Sequence, residues 1–148
     1  MRALVNKVLE MCEEITSLVG ACSRCGRCCK LPFLLPEDKA RICKYLGISI
    51  SHLEEKYLSE RNSSCPFFEN NRCKIYPVRP TVCRIYPFML LPHGLFLMDI
   101  HRCTLARKIY ENFLQKKEKK EKHAIVKIPL IKLEGFYVEI KGLQQKVI

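Results

Sequence analysis

The sequence predicts a small, irregular α+β fold with several helices, a cysteine-rich middle and a C-terminal β-hairpin. Three observations lead there. Apolar residues recur at helical spacing before residue 20 and again after residues 36, 49 and 104. Residues 125–133 and 136–141 read as two short strands. Ten cysteines in 148 residues, most of them outside the periodic stretches, leave the middle of the chain without a regular pattern.

The elements follow in order. Leu4, Val5, Val8, Leu9, Cys12, Ile15, Leu18 and Val19 form one helical stripe with a charged reverse face, and Gly20 ends it. Cys12 lies on that stripe and reads as a small buried hydrophobe. After the apolar link Leu31–Leu35, Pro36 with Glu37 and Asp38 behind it starts a second helix that runs to Gly47. Cys43 takes a core position on it. Ser49 or Ser51 caps a third helix through Leu53, Tyr57 and Leu58.

Asn62-Ser63-Ser64 is a turn, and Cys65 to Cys73 a tight hairpin around Asn70-Asn71. Pro77, Pro80 and Pro87 forbid a regular helix or central strand through most of residues 76–87, so a rigid, irregular segment is expected there. Pro92-His93-Gly94 turns between strands at 88–91 and 95–100, and a helix opening at Thr104 carries Leu105, Ile109, Phe113 and Leu114. The run 116–122 reads as a solvated helix end or linker. Glu134-Gly135 joins the two tail strands. Two strands are marginal alone in water, so this hairpin should pack on the cysteine-rich body, pair with the 88–100 strands, or pair across a dimer. The whole chain, 1–148, is expected as a single domain: a cysteine-rich core over 22–103, a helix and basic linker over 104–123, and a hairpin extension over 124–148.

The formal net charge is +11, and it is lopsided. Residues 1–64 hold ten Lys/Arg against eight Asp/Glu, whereas 65–148 hold sixteen against seven. Such a balance suits nucleic acid or an acidic partner, but cations also offset the negative charge of thiolate-bound metal, and the second reading is preferred. Glu10, Glu13 and Glu14 interrupt the first apolar run, which is too short and too charged for a signal peptide or a membrane span. The expected compartment is the cytoplasm, where thiolates persist and disulfides are rare.

Setting Cys12 and Cys43 aside leaves Cys22, Cys25, Cys28, Cys29, Cys65, Cys73, Cys83 and Cys103, all in loops or at element ends. Eight thiols are what two four-sulfur sites require, so the core is expected to be metal-stabilised. Cys22, Cys25 and Cys28 repeat a two-residue spacing that returns successive sulfurs toward one centre, and Cys29 breaks it. Neighbouring side chains leave an extended chain on opposite sides, so Cys28 and Cys29 are expected to serve different centres. An alternative is one complete cluster plus a second centre in which His101 or water takes a position. Arg24, Arg27, Lys30, Lys74, Arg84 and Arg102 lie near these thiols in sequence and favour the thiolate. Thiolate sites suit zinc and iron–sulfur clusters alike. The crowded first loop with remote partners favours an iron–sulfur cluster, [4Fe–4S] first, over Zn.

These residues resemble a known family, the CxxCxxCC cysteine-cluster proteins, also called YkgJ-type zinc- or iron-chelating domain proteins. Cys22-x2-Cys25-Gly26-x-Cys28-Cys29 is similar to the opening motif of that family. Cys65 through Cys73-Lys74-Ile75-Tyr76 looks like its second cysteine element, and Arg79-Pro80-x-x-Cys83-Arg84 with Pro87 resembles its remaining signature. The resemblance covers residues 22–103. It implies a metal or iron–sulfur protein of unassigned chemistry, with a relative of the module in flagellin lysine N-methylases. Methylase activity is not carried over, because the chain is short, lacks a CxxxCxxC radical motif and has no glycine-rich nucleotide loop.

The expected function is a cytosolic protein that binds one or two metal centres through the eight thiols for electron transfer or metal or cluster delivery, with a protein redox or delivery partner. Arg79 is expected to bond loop carbonyls or to offset thiolate charge. Two other readings stand beside it: a small metalloenzyme whose centre keeps an open position, and a structural zinc module that recruits a partner or RNA through the basic second half. Nucleic acid is the less favoured partner, and no membrane contact is expected.

Overall fold

A computed structural model of the chain describes residues 2–20, 22–30, 32–59, 64–114 and 125–129. They form a small α+β protein with α-helices of four to eighteen residues and two antiparallel sheets. The chain divides into two compact units, one made of Met1–Ser23 with Ile85–Ile148 and the other of Arg24–Arg84.

The first unit opens with helix α1 (Arg2–Val19), which buries Val8, Met11, Cys12 and Ile15 at the spacing of a single helix face. Leu4 and Leu18, on the same predicted stripe, are exposed. Strands β3 (Phe88–Leu91) and β4 (Gly94–Leu97) pair across the two-residue turn Pro92-His93, in the register Phe88 with Leu97 and Leu91 with Gly94. Strand β5 (Val126–Ile128) lies antiparallel on the other side of β4, with Leu95 opposite Ile128. The first tail strand thus takes the 88–100 strands as its partner; Phe136–Lys141, the Glu134-Gly135 turn and the basic run 116–122 lie outside the described residues.

Alternation along β4 sends Leu95 and Leu97 into the core, where they join Phe88, Ile128, the buried face of α1, and Leu105, Ala106 and Ile109 of helix α5 (Thr104–Ile109). Each of the buried Leu, Ile, Val, Met and Phe side chains contributes roughly 1.5–3 kcal/mol through the water it sheds. Helix α5 begins at Thr104 as expected, and it continues as a π-helical turn through Leu114.

The second unit holds helix α2 (Pro36–Leu46), with proline at its start and Gly47 closing it in the left-handed conformation. Helix α3 (Ile50–Leu53) has Ser49 at its N-cap, accepting the His52 N–H at 3.1 Å, and runs on as a π-helical turn to Leu58. Ile42, Cys43, Leu53, Phe67 and Ile75 form the core of this unit, and Tyr57 stacks on Phe67 at 5.1 Å.

Strands β1 (Phe68–Glu69) and β2 (Arg72–Cys73) make the hairpin, and both turn residues, Asn70 and Asn71, have positive φ, the conformation that two-residue hairpin turns require. The proline-rich segment departs from expectation. It contains a 3₁₀ turn at Tyr76–Val78 and a short helix, α4 (Thr81–Ile85). Pro80 precedes the first N–H of α4 and Pro87 lies beyond its end, so the prolines bracket a helix instead of breaking one.

Candidate metal centre

The cysteine-rich loop is closed by one internal hydrogen bond and held against residues 65–68 by two contacts. Gly26 has φ +75, and a Cβ there would come within 2.6 Å of Cε1 of Phe68, so only glycine lets this ring press against the loop. The Cys29 N–H returns to the Gly26 carbonyl at 3.1 Å, which closes the turn around Arg27 and Cys28. The Cys65 N–H then donates to the Cys29 carbonyl at 3.1 Å. Within the hairpin, the Phe68 N–H donates to the Cys65 carbonyl at 3.1 Å and Phe68 pairs with Cys73.

Cys83 comes from α4, where its N–H donates to the Pro80 carbonyl at 2.9 Å. The start of that helix is tied to α2. Asp38, fully buried on α2, accepts the Thr81 N–H at 3.1 Å and the Thr81 hydroxyl at 2.8 Å, both on Oδ1. Its Oδ2 accepts the Leu35 N–H at 3.2 Å. Arg41 pairs with Asp38 at 2.7 Å and also donates to the Arg79 carbonyl at 2.9 Å. Arg79 lays its guanidinium 3.9 Å from the Tyr76 ring centre, and its Nε donates to the Tyr76 carbonyl at 3.1 Å. Arg24 reaches the same ring at 5.5 Å. One residue from each of the three cysteine motifs thus meets at Tyr76.

Cys29, Cys65 and Cys73 each lie close enough to Cys83 to act on its thiol, and Cys73 likewise on that of Cys65. Burial pushes the Cys83 thiol up to about 12; the neighbouring Cys65, Cys73 and Cys29 add to the rise, and Arg79 opposes it. Burial also raises Cys65, against the backbone N–H groups of Phe67 and Phe68, which favour its thiolate. Four half-buried sulfurs with cations beside them are a donor set for a thiophilic metal, whose charge would offset the mutual repulsion of the thiolates. Among the described residues, no three His, Cys, Asp or Glu side chains already form a closed ligand set. The chemistry and neighbourhood of the donors fit a metal, and the sulfurs would have to draw inward around it.

Cys29 is half-buried near Cys83, and its neighbour Cys28 is exposed. Cys25 is exposed in the same loop. Cys22 and Cys103 belong to the other unit, Cys22 exposed and Cys103 half-buried at the start of α5, where its sulfur accepts the Ala106 N–H at 3.5 Å. His101 is exposed, and its carbonyl accepts from Arg107 at 2.8 Å. Cys12 and Cys43 are buried in the two cores, as the helical stripes imply.

Sequence reading placed Asp38 only as a first-turn acid and missed its reach to Thr81, because a partner 43 positions away leaves no local signal. It also missed Phe68 as the surface against which Gly26 closes.

A family model described as "CxxCxxCC: Putative zinc- or iron-chelating domain" matches residues 21–125. An uncharacterized protein of Methanocaldococcus jannaschii is 29% identical over 99 residues, which cover 59% of this chain and 54% of the relative. The chain therefore spans about half the length of that curated relative. No solved structure matches. Among the described residues, no helix is long and apolar enough to cross a membrane.

Proposed function

The chain belongs to the CxxCxxCC family of zinc- or iron-chelating domains, and from that premise we propose that it holds one or two thiolate-ligated metal centres, iron–sulfur in preference to zinc, for electron transfer or for delivery of the metal or cluster to a partner protein. The observation that supports the reading is that Cys29, Cys65 and Cys73, from two other segments of the same compact unit, all lie near enough to Cys83 to act on its thiol. These four residues would hold the first centre. Cys25 and Cys28 are further donors in the same unit, and Cys22 and Cys103 are ligand candidates in the other. A bound cluster would supply one-electron chemistry; zinc would supply only a structural clamp or a Lewis acid.

The residues themselves have separable parts. Gly26 and Phe68 seat the loop on the hairpin. Arg79, anchored on Tyr76, keeps a positive charge near Cys83 and offsets the negative charge of the thiolates. The backbone N–H groups of Phe67 and Phe68 favour the thiolate of Cys65, the form that binds metal.

Anaerobic purification, ultraviolet–visible spectra and analysis for iron, acid-labile sulfide and zinc test the proposal. A brown protein with iron and sulfide in equal amount is the expected result. A colourless protein with stoichiometric zinc and no iron removes the redox reading and leaves the structural one.

A further inference from the structure

We propose that Asp38 is a positioning residue for the metal centre: through Thr81 it sets the placement of Cys83 against Cys29, Cys65 and Cys73. The inference rests on the metal-binding reading above and deepens it.

The hydrogen bonds of residues 79–84 show how much of this segment hangs on one side chain. The carbonyl of Arg79 is taken by Arg41, which is itself paired to Asp38 at 2.7 Å. The carbonyl of Pro80 is taken by the N–H groups of Cys83 and Arg84, at 2.9 and 3.0 Å. The N–H and hydroxyl of Thr81 both end on Oδ1 of Asp38. Helix α4 is only five residues long, too short to hold its own direction through backbone bonding. The attachment at its first residue therefore governs where its side chains point. Cys83 lies two residues after Thr81, so rotation of the helix about its axis carries the sulfur with it.

Asp38 is completely buried, and a buried carboxylate is costly unless every lone pair is used. Here it receives four donors: Leu35 N–H, Arg41, and the two groups of Thr81. An apolar residue would fill the same volume in the core of this unit at lower cost. What it would not supply is a fixed, directional grip on the turn that delivers Cys83. Residues that orient metal ligands are typically worth a 10–100-fold change in metal affinity.

The test uses the full chain, anaerobic and metal-free, titrated with cobalt(II), whose sulfur-to-metal absorption band grows with the number of thiolates bound. Four proteins are compared: wild type, Asp38→Asn, Thr81→Val and Thr81→Ser. Thr81→Val removes the hydroxyl donor and leaves Asp38 and its charge in place; Thr81→Ser restores the donor. Far-ultraviolet circular dichroism of each metal-free protein reads the fold independently.

The expected result is about 10–100-fold weaker cobalt binding in Thr81→Val with a smaller band per metal, recovery in Thr81→Ser, and a folded metal-free spectrum in both. Asp38→Asn should lose at least as much as Thr81→Val. Equal affinity and band intensity in wild type and Thr81→Val overturn the positioning role while the metal reading stands. Unfolding of Thr81→Val also overturns it, because the contact would then hold the fold and not the sulfur. A wild-type chain that gives no thiolate band shows that the four sulfurs do not gather around one ion and overturns the role of Asp38, whereas the metal reading falls only if the purified protein also carries no iron, sulfide or zinc.

Discussion

Gly26 shows how a single backbone position can decide the site. Its φ of +75 costs any other L-residue about 1–2 kcal/mol, and the Phe68 ring would have to give way as well. Gly26→Ala should lower the thermal stability by that amount and reduce the metal retained on purification; a melting temperature and metal content equal to wild type would show that the loop does not need this contact. Cys12 makes a different claim. Burial in the core pushes its thiol from an ordinary 9.0 up to about 12. Because the folded chain holds that proton more tightly than the unfolded chain, its contribution to stability is complete below about pH 9 and is lost as the pH rises toward 12. The slope is at most about 1.4 kcal/mol per pH unit. Cys12→Ala should flatten the fall in melting temperature between pH 8 and 10.5, and an unchanged slope would place the alkaline sensitivity elsewhere. Both positions were readable in part: the helical stripe identified Cys12 as a core residue, and the motif marked Gly26, but Phe68 was not visible as its partner.

At the scale of elements, local chemistry was legible and long-range pairing was not. Gly20 and Gly47 at helix ends and Pro36 at a helix start act through neighbours within four residues and stand where the sequence places them, and of the two cap candidates Ser49 and Ser51 the structure uses Ser49. Helix α4 was missed because Pro77, Pro80 and Pro87 were weighed as breakers, when only the spacing between Pro80 and Pro87 mattered. The β1–β2 hairpin carries its own prediction. Asn70 and Asn71 both have positive φ, which branched side chains adopt at a cost of about 1–2 kcal/mol each. Replacing both with valine should therefore destabilise the chain by roughly 2–4 kcal/mol and loosen Cys65 and Cys73 from each other, measured as faster alkylation of these two thiols in the metal-free protein. Alkylation at the wild-type rate would mean that the turn does not hold the pair. On α1, Ile15→Ala should cost roughly 2–5 kcal/mol, whereas Leu4→Ala, on an exposed part of the same stripe, should change little.

For the molecule as a whole, apolar periodicity foretold a small α+β protein, which the observed elements bear out, and the cysteine count foretold metal chelation, with which the family match agrees. What composition could not foretell is the grouping of the cysteines. Cys25, Cys28, Cys29, Cys65, Cys73 and Cys83 fall in one compact unit, and Cys22 and Cys103 in the other. That grouping depends on how segments far apart in the chain pack, and spacing between cysteines does not encode it. The central claim is that Cys29, Cys65, Cys73 and Cys83 hold a metal together. Metal analysis of the anaerobically purified full chain and of its four single Cys→Ser variants tests this most directly. The account predicts bound iron or zinc in the wild type and its loss in each variant. Wild-type metal content in all four variants, or a wild-type chain that never carries metal, would contradict it.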